Sequence, residues 1–221
     1  MKTVFINPFD SIELSEKVDT VILKIGCFDY TFLRAKVSST EIDFDERNIK
    51  INDSLDSTAI LRETIRAFFI IVAYELKLND KFSNGKDADL NDMSVANLSW
   101  HFMHWFDEST FDWNSDEPYP IMFKVGAVSY SVREMYDVSL QTTQSVQYGI
   151  SDHVLNRVAI IDKIYGIPIK DDMKTLVFWH EYVHCLFVIS NETYANDIEY
   201  VVDAFATQIM LFMNQFKKIV N

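Results

Sequence analysis

Two histidines and a glutamate stand within five consecutive residues, in the segment His180-Glu181-Tyr182-Val183-His184. In a helix, residues four apart lie on the same face, so both imidazoles can bind one Zn²⁺. Glu181 projects beside that pair and can take a proton from a water on the metal. Burying these polar groups in an apolar stretch is costly unless they have partners. The pentad therefore predicts a metal site with hydrolytic chemistry.

A catalytic zinc site needs a third protein ligand, and Glu199 on the next predicted helix is the best candidate. Asp203 follows one helical turn later, so both carboxylates share a helix face. We expect Asp203 to accept the free N–H of a ligating histidine and to fix its tautomer. An oxyanion that develops at the metal also needs a donor, and Tyr194 and His153 are both candidates for it.

The chain resembles itself in two places. Lys24–Tyr30 matches Lys124–Tyr130, with the lysine, glycine and tyrosine identical, and Asn48–Asp53 resembles Arg157–Asp162 in its apolar pattern and final aspartate. A long apolar helical segment follows Asn48–Asp53, and another follows Arg157–Asp162. Because several segments match in the same order, we interpret the chain as an internal duplication. Chance likeness between two halves that merely contain buried helices is the alternative.

Each half reads as short strands followed by two helices, which predicts an α+β fold. We expect an antiparallel sheet of about three strands packed on two helices in each half. The predicted strands are Val21–Ile25, Tyr30–Val37 and Asn48–Asn52, then Ile121–Val125, Ser129–Tyr136 and Arg157–Ile161. The predicted helices are Ser57–Leu78 and Asp92–Phe106, then Asp171–Ser190 and Asp197–Lys218, with Asp171 and Asp197 as helix N-caps.

The predicted domains are residues 1–115 and 116–221, and only the second carries metal ligands. Aligning the helices places Phe69–Ala73 opposite the pentad, and Ser94 and Leu98 opposite Glu199 and Asp203. The first half is therefore a degenerate repeat with a structural, recognition or regulatory role. We expect the two repeats to pack on each other, with the aromatic cluster from Trp100 to Trp113 as the interface.

Composition limits the partners. The net charge is −13 and both halves are acidic, so neither offers the basic patch that nucleic-acid binding needs. The two cysteines, Cys27 and Cys185, suit reduced thiols in a cytoplasm, and no apolar run is long enough to span a bilayer. The N-terminus lacks the pattern of a signal peptide. We expect a soluble cytoplasmic protein without nucleic-acid or membrane partners.

The zinc motif followed by Glu199-x-x-x-Asp203 resembles the gluzincin metallopeptidases. More narrowly, Glu199-x-x-x-Asp203-x-Phe205-Ala206 resembles the corresponding segment of the ImmA/IrrE family of small bacterial and mobile-element metallopeptidases. The likeness covers about residues 174–211. The chain lacks the Leu-x-Pro segment that is frequent in the family. Within the pentad, Tyr182 and Val183 stand where the family often has small residues.

The resemblance implies two tandem zincin-like units, the first degenerate, and one Zn²⁺ held by His180, His184 and Glu199. It also implies hydrolysis of a peptide bond in a protein or peptide, with Glu181 as general base. The alternative function is a non-catalytic binding or assembly protein of phage or mobile-element origin that retains a structural zinc site. Glu181 favours catalysis, because a structural site has no need of a carboxylate at that position.

Overall fold

The computed structural model describes residues 20–77, 93–108, 117–135 and 148–220. Their strands are β1 (Thr20–Ile25), β2 (Phe28–Ala35), β3 (Glu41–Asp43), β4 (Asn48–Asn52), β5 (Met122–Val125), β6 (Val128–Met135), β7 (Gly149–Asp152), β8 (Arg157–Ile161), β9 (Lys163–Ile164) and β10 (Ile167–Pro168). Their helices are α1 (Ser57–Glu75), α2 (Met93–Glu108), α3 (Asp171–Ile189), α4 (Thr193–Asn196) and α5 (Glu199–Val220). The α+β expectation is confirmed.

Two four-stranded sheets have the same topology. Their strand orders are β1-β2-β4-β3 and β5-β6-β8-β7. In each sheet the first hairpin is antiparallel, the central pair is parallel and the edge pair is antiparallel. The central register also matches, because Thr31 lies opposite Asn48 and Ser131 lies opposite Arg157. The order of elements that the sequence indicates in the two halves thus extends to pairing and register.

The predicted sheet of three antiparallel strands is wrong in strand number and in one direction. Each sheet has a fourth, edge strand, and the central pair is parallel. The edge strands escaped prediction because Glu41–Asp43 has only three residues and Gly149–Asp152 begins with glycine, so neither shows a sustained apolar alternation. Each edge strand forms a hairpin with the strand that follows it, β3 with β4 and β7 with β8. The second strand of each hairpin then pairs with the centre of the sheet, β4 with β2 and β8 with β6.

Helix ends also differ from the predicted caps. Asp56 caps α1, and its side chain accepts from the backbone N–H of Ala59 at 2.8 Å. Lys170, not Asp171, is the N-cap of α3, although Asp171 remains in the first turn, where its charge suits the helix dipole. Asp197 is the C-cap of the short helix α4, which the sequence did not reveal. Predicted residues Leu78 and Asp92 lie outside the described residues.

The second helix of each half packs on the first hairpin of the other half. Helix α2 contacts β5, where Gly126 donates its N–H to the His101 carbonyl at 3.3 Å. Helix α5 contacts β1, where Gly26 donates to Gln208 Oε1 at 2.8 Å. Farther along α5, the Gln215 side chain accepts from the Lys24 N–H at 2.7 Å and donates to its carbonyl at 3.0 Å. Each second helix therefore packs both on the first helix of its own half and on the first hairpin of the other half.

One hydrophobic core joins the two sheets and the helices between them. Phe102 of α2 is fully buried, and its ring centroid lies 5.4 Å from Phe69, 6.0 Å from Tyr182 and 6.5 Å from Phe212. Trp105 packs similarly on Phe123, Phe178 and Tyr182. Part of the aromatic cluster therefore lies between the halves, whereas Trp113 and the boundary between residues 115 and 116 lie outside the described part of the chain. The described residues of both predicted domains share this core.

Replacing Phe102 with alanine should destabilise the whole chain rather than one half. Because the ring contacts three other helices, we expect Phe102→Ala to lower the free energy of unfolding by about 3–5 kcal/mol. Urea titrations followed by far-ultraviolet circular dichroism and tryptophan fluorescence should give coincident, single transitions. Trp100→Ala is the matched control, because Trp100 is 53% exposed on the same helix. Two separate transitions, or equal losses in both variants, would contradict the shared core.

Candidate metal centre

Helix α3 carries polar groups on two sides of an otherwise apolar element. Val177, Val183 and Leu186 are buried in the core. His180 and His184, one turn apart, face α5, and their side chains are 22% and 14% exposed. Glu181 is only 5% exposed and contacts the β7 side. Helix periodicity thus separates two histidines from one carboxylate by face.

Glu199, the first residue of α5, completes a triangle with the two histidines. The two Nε2 atoms are 3.1 Å apart, and Glu199 Oε2 lies 3.4 Å from His180 Nε2 and 3.9 Å from His184 Nε2. The point equidistant from three atoms with these separations lies about 2.0 Å from each, which matches Zn–N and Zn–O bonds of about 2.0–2.2 Å. The three side chains fit one zinc ion.

Hydrogen bonds orient both imidazoles. His180 Nδ1 is 2.8 Å from Asp203 Oδ1, and His184 Nδ1 is 2.9 Å from Asn196 Oδ1. An oxygen at each Nδ1 places the ring proton there and leaves Nε2 as the unprotonated atom that a metal binds. Metal-binding histidines are commonly held in this way by a carboxylate or an amide oxygen. The predicted role of Asp203 matches this geometry, and Asn196 adds a partner that the sequence did not indicate.

With a proton on each Nδ1, the two Nε2 atoms could bind a cation between them. Both are hydrogen-bond acceptors at 3.1 Å, with a carboxylate oxygen nearby. Burial lowers the pKa of His184 despite the hydrogen bond to Asn196, so a shared proton is disfavoured. A divalent metal removes the repulsion among the three acceptors. The donor set itself therefore suits Zn²⁺.

Glu181 is tightly enclosed against the edge strand β7. Ser151 hydrogen-bonds its carboxylate, and a Cβ added at Gly149 would lie 2.6 Å from Glu181 Oε1 and 2.7 Å from a methyl group of Val177. Burial raises the pKa of Glu181 to about 7, while the nearby His180 and the Ser151 hydrogen bonds oppose that shift. The carboxyl group can therefore accept and release a proton near neutral pH.

The two predicted oxyanion donors have different outcomes. His153 lies between β7 and β8, and its Nδ1 is 3.5 Å from the Tyr130 hydroxyl. Burial lowers the pKa of His153, and the charge of His184 lowers it further. The side chain of Tyr194 lies outside the described residues.

Three residues that shape the site are not predicted by the sequence, namely Asn196, Ser151 and Gly149. Asn196 ends a single helical turn and Ser151 lies in a short edge strand, so neither has a motif. Of the three, only Gly149 could have been recognised from the sequence, because an isolated glycine in a strand often marks a place where another group approaches the backbone closely. The corresponding positions of the first half carry no imidazole or carboxylate: Phe69–Ala73 is buried in α1, and Ser94 and Leu98 are buried in α2.

Comparisons with protein-family models, curated proteins and solved structures gave no match to this chain. Among the described helices, none has the length and apolar character needed to cross a membrane.

Removing any of the three ligand side chains should abolish tight zinc binding. We expect about one Zn²⁺ per wild-type chain and loss of it in His180→Ala, His184→Ala and Glu199→Ala, measured by elemental analysis after dialysis against a weak chelator. Asp203→Ala and Asn196→Ala should weaken affinity by about 10–100-fold, because the imidazoles lose their orienting partners.

Asp197→Ala is the control, since Asp197 is an exposed acidic residue beside the site. Wild-type protein without stoichiometric zinc, or ligand variants that bind zinc as Asp197→Ala does, would contradict the assignment.

Proposed function

We propose that this protein is a zinc-dependent peptidase of the gluzincin type, with Glu181 as general base. The observation that carries the proposal is the position of Glu181: the carboxyl group is buried and held by Ser151, outside the ligand triangle but close enough to His180 and Glu199 for their charges to influence its pKa. Burying a carboxyl group that does not bind the metal costs free energy, and a role in proton transfer explains why the glutamate is there.

When bound, Zn²⁺ lowers the pKa of a coordinated water to about 7 and polarises a carbonyl. His180, His184 and Glu199 would hold it, while Asp203 and Asn196 keep both Nε2 atoms free of protons. Glu181, with its pKa raised to about 7 by burial, accepts a proton from water and passes it to the leaving amine. Of the two predicted oxyanion donors, His153 is the one whose side chain lies in the described part of the structure, and we propose that it stabilises the developing oxyanion.

An extended peptide suits this site because a sheet edge borders it. Strand β7 pairs only with β8 among the described strands, so its other edge offers backbone N–H and carbonyl groups. A peptide added there passes Gly149 and Ser151, the two residues that enclose Glu181. The Glu199 side chain is 72% exposed, so the metal centre is open to solvent on the α5 side. These features favour a peptide bond in a protein or peptide as the substrate.

The second candidate function is a non-catalytic binding or assembly protein with a structural zinc. Structural zinc sites have four protein ligands, whereas the group in the described residues supplies three. This ligand count favours catalysis.

The same proposal has further parts, which the motifs and the acidic charge support. They are membership of the ImmA/IrrE family, zincin-like folds for both units, a cytoplasmic location and the absence of nucleic-acid and membrane partners.

Glu181→Gln should separate catalysis from metal binding. The amide keeps the shape of the side chain but cannot accept the proton, so we expect cleavage of a peptide library to fall by about 10²–10⁴-fold. Zinc content should stay at the wild-type value. Asp171→Asn, which changes an exposed carboxyl group on the same helix, is the control. Full cleavage by Glu181→Gln, analysed by mass spectrometry, would exclude Glu181 as the base.

Gly149→Ala in β7 should also impair proton transfer by Glu181. Its Cβ would clash with both Glu181 and Val177, so the carboxyl group must move while the metal ligands stay in place. We expect at least about a tenfold loss of cleavage, the scale on which misplaced catalytic groups act. Zinc affinity should be unchanged in a competition titration. Equal loss of zinc and cleavage would instead indicate general unfolding of the site.

A further inference from the structure

The first half has its own groove, at the edge strand β3. The groove has a volume of about 480 Å³ and is lined by β3, the residues that follow it, β4 and the last turn of α1. Strand β3 pairs only with β4 among the described strands, so its outer edge is available for pairing. It occupies the same place in the first sheet as β7 in the second. The groove contains none of the metal-site residues.

Strand register divides the groove into two faces. Ile42 lies opposite the buried Ile49, so it faces α1, where Phe44 and Tyr74 pack with ring centroids 3.9 Å apart. Tyr74 is 46% exposed, which leaves an apolar surface beside the edge. Glu41 lies opposite Lys50 on the other face. Because strand side chains alternate, an added strand would meet aromatic rings on one face and carboxylates on the other.

Charge selects the kind of strand that fits. Glu41, Asp43 and Asp45 line the groove with one cation, Lys50, whose amine is 3.5 Å from Glu41. This excess of carboxylates repels acidic strands and attracts basic ones, and the chain's net charge of −13 acts in the same direction. The turn that carries them is well held, because Asp43 Oδ1 accepts from the Glu46 N–H at 2.9 Å.

We propose that the first half binds an extended segment of a partner protein, with alternating basic and apolar side chains, as an added strand on β3. The backbone pairs with β3, the basic side chains face Glu41 and Asp43, and the apolar side chains pack on Phe44 and Tyr74. In the second half the position aligned with Tyr74 is the buried Cys185, so this apolar surface belongs to the first half. The degenerate repeat is then a recognition module, whether or not the zinc site is catalytic.

The test uses the full-length protein and a fluorescein-labelled eight-residue peptide in which lysine alternates with valine. Fluorescence anisotropy should show saturable binding. The same peptide with glutamate for lysine should not bind, because its charge is reversed. A third peptide with proline for alternate valines keeps the charge but lacks the N–H groups that pair with β3, and should bind at least about tenfold more weakly.

Three variants locate the binding. Glu41→Lys combined with Asp45→Lys should weaken binding by about tenfold, and Tyr74→Ala by about threefold, the scale of exposed ion pairs and of partial apolar burial. Asp29→Lys is the control for charge, since Asp29 is exposed at the start of β2. Glu181→Gln protein should bind like wild type, which separates this proposal from the peptidase proposal.

Lack of binding, equal binding of the glutamate or proline peptide, or equal effects of the groove variants and Asp29→Lys would each overturn the proposal.

Discussion

The position of helix α5 is the constraint on which the proposed metal centre depends. Its first residue, Glu199, and Asp203 one turn later contact the imidazoles of α3. The same helix is fixed along its length by the first half, where Phe205 packs with Phe69 and Phe212 packs with Phe68. Gln208 accepts a hydrogen bond from the N–H of Gly26 in the turn after β1, and Gln215 accepts one from Lys24 in β1, which adds a polar attachment. The first half therefore helps to position Glu199, the proposed third ligand, although it supplies no proposed ligand itself.

The histidines and the glutamate of α3 are tolerated because partners surround their polar atoms, whereas the buried Tyr182 hydroxyl on the same helix has no hydrogen-bond partner among the described residues. A histidine or glutamate in an apolar helix costs free energy unless its polar atoms are satisfied. Here Asp203 and Asn196 satisfy the two Nδ1 atoms, Ser151 satisfies Glu181, and the remaining Nε2 atoms converge with Glu199. At the start of α3, the buried Lys174 is paired with Asp162 at 2.7 Å, which raises the pKa of the lysine. Burial that would destabilise isolated groups instead gives them fixed orientations.

Much of this arrangement is predictable from the sequence, because rare residue types at helical spacing leave few alternatives. The pentad, Glu199 and Asp203 meet in space, and the long elements lie close to their predicted bounds. Short or unpatterned elements were not predictable, including β3, β7 and the turn that presents Asn196. The packing of α2 and α5 on the hairpins of the opposite halves was not predictable either, since an aromatic such as Phe102 indicates burial but not which sheet or helix it contacts. Partner choice depends on the whole fold, so local periodicity cannot determine it.

The most direct test of the central claim is anomalous diffraction at the zinc absorption edge from crystals of the full-length protein. The expected result is one zinc peak within about 2.2 Å of His180 Nε2, His184 Nε2 and a carboxylate oxygen of Glu199, with water as the remaining ligand. That coordination would support a hydrolytic centre organised by α3 and α5. A peak elsewhere in the chain would contradict the assignment of the ligands. A fourth protein ligand would contradict catalysis and favour a structural zinc.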